Sequence, residues 1–152
     1  GDHTVRVLAS QADGCVAIYN LQGHSHSSPM SVRVSHKAVM SGRFHPQIHN
    51  VFAASAQDQV LRIFDTRENS RDSVAKLRPG TSLGYVRWRP EHPTQIATTG
   101  SPVDCVQCCS GLMNAGILVW DLRRPFVPVH QFGGRADLHP DFFWADSNHI
   151  VA

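Results

Sequence analysis

Apolar and polar residues alternate in short runs along most of the chain, and three of these runs end alike. Val16-Ala17-Ile18-Tyr19-Asn20, Leu61-Arg62-Ile63-Phe64-Asp65 and Ile117-Leu118-Val119-Trp120-Asp121 each close on an aromatic residue followed by Asp or Asn. A period of two predicts strands with one buried face, and no segment carries a helical stripe. Phe64 lies 45 positions after Tyr19 and Trp120 lies 56 after Phe64, so the third unit carries about 11 residues beyond a repeat of about 45. A second marker keeps the same phase: Phe44-His45-Pro46 returns 44 positions later as Trp88-Arg89-Pro90, and Trp144 follows 56 positions after Trp88. Asp13-Gly14 and Asp58-Gln59 each precede their aromatic by six positions.

The second unit shows four strands, Val39 to Phe44, Val51 to Ser55, Val60 to Phe64 and Ser73 to Leu77, with Asp58-Gln59 as a tight hairpin. A four-stranded unit of this kind cannot bury both faces alone, so neighbours must stack radially, as in a propeller. The expected fold class is all-β, a fragment of about three four-stranded blades spanning 1–152. The units are about 1–35, 36–79 and 80–134, with the start of a further unit at 135–152. The chain enters in the second strand of one unit (Val5 to Ser10) and leaves as the second strand of a fourth begins (His149 to Ala152).

With the aromatic-Asp ending, the Asp hairpin and His36 some 28 positions before Phe64, the repeats resemble the WD40 family. The resemblance implies a buried tetrad of His, strand hydroxyl, hairpin Asp and Trp. His36, Asp58, Phe64, Trp88, Trp120 and Asp121 are the candidate blade-structural residues. The tetrad is incomplete: the second unit has His36 and Asp58 but Phe64 in place of Trp, while the third keeps Trp120 but has Gly80 at the His position. Packing rather than a polar network is therefore expected to hold these blades.

Residues 86 to 144 carry a closer resemblance. Val86-Arg87-Trp88-Arg89-Pro90, Ile96-Ala97-Thr98, Val119-Trp120-Asp121-Leu122-Arg123-Arg124-Pro125-Phe126-Val127-Pro128, Phe132, Asp137 and Trp144 follow in order. This run is similar to the propellers of WD-repeat, RING-bearing subunits of the SEA (GATOR) complex, although the insertion from Ser101 to Gly116 departs from that pattern. The resemblance implies a scaffold in a multiprotein complex that regulates TOR nutrient signalling, cytoplasmic and peripheral at the lysosomal or vacuolar membrane, with other protein subunits as partners.

Charge narrows the alternatives. With 14 Lys and Arg against 12 Asp and Glu, the net charge of +2 gives no electrostatic footprint for nucleic acid. Arg87/Arg89 and Arg123/Arg124 are the clustered basic pairs, read as solvated surface or local ion pairs. The start does not read as a signal peptide, and no apolar run approaches the roughly 18 residues that cross a bilayer, so no direct membrane insertion is expected. Four cysteines without a disulfide pattern, Cys15, Cys105, Cys108 and Cys109, fit a reducing compartment.

Candidate chemistry is sparse. Cys105-Val106-Gln107-Cys108-Cys109 holds one C-x-x-C spacing, but no second pair faces it, and His24/His26 lie on another loop; no metal and no cofactor are expected. His45 and His49 flank a Pro-containing turn and read as solvated loop histidines. No G-x-S-x-G, H-E-x-x-H, Walker A or Rossmann fingerprint occurs, so an enzyme with a loop-borne site is the weakest reading.

Asp65-Thr66-Arg67 and Asp121-Leu122-Arg123 place an Arg two positions after the strand-ending Asp, which resembles the W-D-x-R box of Cullin-4 ubiquitin ligase substrate receptors. Arg67, Arg123 and Arg124 are the candidate protein-interface residues, and a local Asp-Arg pair is the competing reading.

Overall fold

The computed structural model describes residues 5–21, 28–68, 72–78, 83–100, 116–133 and 141–152. All regular structure among them is β-strand, in four antiparallel sheets taken in chain order. The first sheet holds β1 (Val5–Ser10), β2 (Cys15–Leu21) and β3 (Met30–Arg33). The second holds β4 (Val39–Phe44), β5 (Val51–Ala56), β6 (Leu61–Asp65) and β7 (Ala75–Leu77). The third holds β8 (Leu83–Trp88), β9 (Gln95–Gly100), β10 (Ile117–Asp121) and β11 (His130–Phe132). β12 (Phe143–Trp144) and β13 (Ile150–Val151) form the last pair. Each sheet is a simple meander, in which consecutive strands pair antiparallel.

The strand register aligns the sheets. Tyr19 faces Val7, Phe64 faces Phe52 and Trp120 faces Ile96 across the central pair of each sheet. Both innermost strands that can be compared carry an irregularity near their start, between Val39 and Ser41 and between Leu83 and Val86. The hairpins also match: Asp13 accepts the Cys15 N–H at 2.9 Å and Asp58 the Val60 N–H at 3.2 Å. The next residue is left-handed in both, Gly14 at φ 88° and Gln59 at φ 64°.

Three apolar layers lie between consecutive sheets. Val16, Ile18 and Val34 meet Phe52, Ala54 and Phe64. Leu61, Ile63 and Leu77 meet Leu83, Val86, Ile96 and Trp120. Ala97, Ile117 and Val119 meet Phe142, with Trp144 and Ile150 against them. Both faces of the second sheet and of the inner strands of the third are therefore covered, which is why Val51 to Ala56 reads as a nearly continuous apolar run.

Polar groups reinforce these layers. The buried Ser55 hydroxyl donates to the Gly84 carbonyl at 2.8 Å, and the Val86 N–H donates to Ser41 Oγ at 3.3 Å. Beside the packing expected to hold the blades, the layers thus carry directed hydrogen bonds from one sheet to the next.

Candidate functional site

The residues singled out by their tetrad positions do not join in the expected hydrogen-bonded set. Trp120 is buried and its Nε1–H donates to Thr98 Oγ1 at 3.0 Å. Asp58 is held by Arg62 through two contacts of 3.0 and 2.6 Å and by the Ser35 hydroxyl at 2.8 Å. Partial burial would raise the Asp58 pKa, but the Arg62 and Ser35 hydrogen bonds outweigh it and hold it below the ordinary value. His36 is exposed at the neighbouring position. The tetrad expectation for His36 is corrected accordingly: Ser35, one residue earlier, supplies the side chain that meets the hairpin Asp. Gly80, the corresponding position of the third unit, lies outside the described residues.

His36, Asp58 and Phe64 line a groove of about 820 Å3 between β3 and β6–β7, with Arg33, Lys37 and Lys76 on its walls. Among the described residues no group of three or more His, Cys, Asp or Glu could hold a metal ion. Cys105, Cys108, Cys109, His24, His26, Asp137 and nearly all of the insertion from Ser101 to Gly116 lie outside those residues. Among the described residues no helix is long and apolar enough to cross a membrane.

His45 is buried at 4% exposure rather than solvated. Its Nδ1 accepts the N–H groups of Gln47 at 3.0 Å and Ile48 at 2.9 Å. Two donors on Nδ1 place the ring proton on Nε2, which lies 2.9 Å from the Pro93 carbonyl oxygen of the next sheet. The ring also meets Trp88 edge-on at 4.5 Å. The reading as a loop histidine missed this because the turn around Pro46 is folded back against the following sheet, whereas His49 is exposed as expected.

Arg89, at the same place in the next aromatic-x-Pro, does the corresponding work. It donates to the Ser147 carbonyl at 2.6 Å and to Asn148 at 2.9 Å, and its guanidinium lies 5.5 Å over the Trp144 ring. Arg87 adds a forked contact to Asp141 at 2.9 and 3.0 Å and one to the Phe142 carbonyl at 3.0 Å. Arg6 of β1 completes the series, 4.7 Å over the Phe44 ring. Each aromatic of this set, Phe44, Trp88 and Trp144, is thus met by a cationic or imidazole side chain from the preceding sheet. Arg87 and Arg89 are inter-sheet ties, which corrects their reading as solvated or locally paired.

The interface candidates differ among themselves. Asp65 accepts the Arg67 backbone N–H at 2.9 Å, Nε at 3.0 Å and Nη2 at 2.6 Å. Asp121 accepts the same three groups of Arg123 at 3.0, 2.9 and 2.6 Å. The Arg67 hydrogen bonds lower the Asp65 pKa to about 2, and those of Arg123 hold the Asp121 carboxyl still further below its ordinary value. Arg67 and Arg123 are therefore engaged by their own turns. Arg124 is exposed and has no ion-pair partner among the described residues; its backbone N–H donates to the Asp121 carbonyl at 2.8 Å.

No protein-family model matches the chain. The GATOR2 complex protein WDR24 of Xenopus laevis is 28% identical over 101 residues, 66% of this chain and 12% of that protein. The Dictyostelium discoideum protein of the same name is 23% identical over 115 residues, 75% of this chain and 10% of its own length. Histone acetyltransferase type B subunit 2 of Kluyveromyces lactis is 22% identical over 133 residues, 87% of this chain and 29% of that protein. The chain's match thus spans about an eighth of the Xenopus relative. Stacked antiparallel sheets, a repeated aromatic-Asp strand ending and these similarities together are consistent with a WD-repeat propeller fragment similar to the GATOR2 complex protein WDR24.

Proposed function

We propose that the chain is part of a non-catalytic protein-protein interaction scaffold, a subunit of a GATOR2-like complex that regulates TOR nutrient signalling. It works in the cytoplasm, peripheral at the lysosomal or vacuolar membrane, with other protein subunits as partners and without nucleic acid or a cofactor. The similarity to proteins named as GATOR2 complex members, over 66% to 75% of the chain, carries this reading. The side-chain network supports a scaffold, because polar groups buried between the sheets tie one sheet to the next.

The units at about 1–35, 36–79, 80–134 and 135–152 are proposed as successive blades. Affinity purification of the tagged complete protein tests the reading: recovery of other GATOR2-type subunits is expected, and their absence overturns it. The alternative of a Cullin-4 substrate receptor rests on the tandem Asp-x-Arg pairs. Both arginines close on their own aspartates, so that reading gains no free arginine from the geometry.

A further inference from the structure

The turn between β10 and β11 carries the two least covered large apolar side chains of the described residues, Phe126 at 92% exposure and Val127 at 67%. We propose that Arg124, Phe126 and Val127 form a docking point for an acidic peptide segment of a protein partner, one that places a carboxylate on Arg124 and an apolar side chain on Phe126 and Val127. The proposal rests on the scaffold reading above and names the kind of partner that this face takes.

The two residues lie in the turn itself, outside the strand positions that form the layers between sheets. Phe132 pairs with Ile117 as Leu77 pairs with Leu61, so Phe132 belongs to the layer between sheets; it is 44% exposed where Leu77, covered by the third sheet, is 2%. The matching turn of the second sheet behaves differently. Arg67, Glu68, Asp72 and Val74 stay exposed although the third sheet is packed alongside. The described residues of that turn are therefore left open by stacking, and Phe126 and Val127 stand in the corresponding turn of the third sheet.

Charge selects the partner. Arg62, Arg67, Arg87 and Arg123 each face a carboxylate of this chain. Arg124 faces none among the described residues, so its fork is available to an incoming carboxylate without breaking an existing pair.

The turn is also held in advance. The Leu122 N–H donates to the Thr94 carbonyl and the Val129 N–H to the Val119 carbonyl, each at 2.8 Å, and Pro125 and Pro128 restrict the backbone between them. Little conformational freedom remains to be lost on binding, and an exposed aromatic beside an arginine is the usual composition of an interface anchor.

The test selects phage-displayed random peptides on the complete protein. Selected peptides are expected to combine Asp or Glu with Leu, Ile or aromatic residues. Arg124→Glu and Phe126→Asp should each weaken them by roughly tenfold or more at an unchanged melting temperature. A peptide with Lys in place of its acid should regain binding to Arg124→Glu. If Phe126→Asp lowers the melting temperature, Arg124→Gln, at an exposed position, gives the same comparison.

Peptides indifferent to all these substitutions overturn the proposal. So does a concentration-dependent dimer that Phe126→Asp dissolves, or phosphatidylserine vesicles that bind through Arg124 while peptides do not. Co-purification of complex subunits with the wild-type protein is read separately: its failure overturns the scaffold reading alone, and peptide indifference overturns the docking point alone.

Discussion

Trp120 and Thr98 are joined by one buried hydrogen bond, Nε1–H to Oγ1 at 3.0 Å, across β9 and β10. The register places Ala54 where Thr98 stands and Phe64 where Trp120 stands, so the second sheet lacks donor and acceptor together. Phe64 instead stacks on Phe52 at 5.0 Å. Losing both partners is far cheaper than losing one, because no buried polar atom is left without a mate.

Thr98→Val is therefore expected to cost roughly 1–3 kcal/mol by stranding the indole N–H. Trp120→Ala should cost about 3–5 kcal/mol through the cavity. Trp120→Phe combined with Thr98→Val should cost less than the sum of the two single changes, with a coupling of about 1 kcal/mol in urea denaturation.

His45→Ala leaves the N–H groups of Gln47 and Ile48 and the carbonyl of Pro93 without their side-chain partner and removes the contact with Trp88. We expect a loss of roughly 2–4 kcal/mol, against about 0.5 kcal/mol or less for His49→Ala on the exposed side of the same turn. Paired denaturation curves check the contrast; equal costs would show that the inter-sheet bond is immaterial.

The strands and their stacking were legible in the sequence because period-two runs and recurring aromatics report burial directly. Val39 to Phe44 was expected as a strand and is one, and the hairpin at Asp58-Gln59 is where the Asp predicts it. Strand ends were less legible: Ser73 to Leu77 shortens to Ala75–Leu77 because Val74 already belongs to the turn.

His45, Arg87 and Arg89 were misjudged for another reason. A polar side chain in a turn or near a strand end looks solvated until the neighbouring sheet is in place, and no local pattern encodes that contact. One signal was present, in that the middle residue of both aromatic-x-Pro tripeptides is a side chain able to form several hydrogen bonds.

The Asp65 turn sets a pH dependence. Its carboxyl lies at about 2, below the ordinary value of 3.8, because Arg67 donates to it. A depressed pKa contributes stability that is complete above the unfolded value and is lost as pH falls through the folded one. The turn should thus be insensitive above about pH 5 and should loosen between about pH 4 and 2. Carboxylate NMR of Asp65 should show a midpoint near 2, and Arg67→Gln should move that midpoint upward.

Gln59 holds a left-handed conformation that the equivalent Gly14 adopts freely. Gln59→Gly is expected to raise stability by roughly 0.5–1 kcal/mol, the relief of strain exceeding the entropy lost by glycine. Gly14→Ala should do the opposite and more strongly, since a Cβ there would stand 2.1 Å from the Ser35 carbonyl oxygen. Thermal melts of the two variants should shift in opposite directions.

The side chains that meet Phe44, Trp88 and Trp144 all reach forward, from an earlier sheet to a later one: Arg6, then His45, then Arg89. During synthesis the chain leaves the ribosome in that same direction, and earlier segments order first. Each aromatic would therefore emerge after the side chain that meets it, and the joints are expected to close one after another in the order of translation. A break introduced at His45 would interrupt that sequence at the second joint and leave the first intact, so that nascent chains stalled beyond Trp88 would protect Phe44 from proteolysis but expose Trp88.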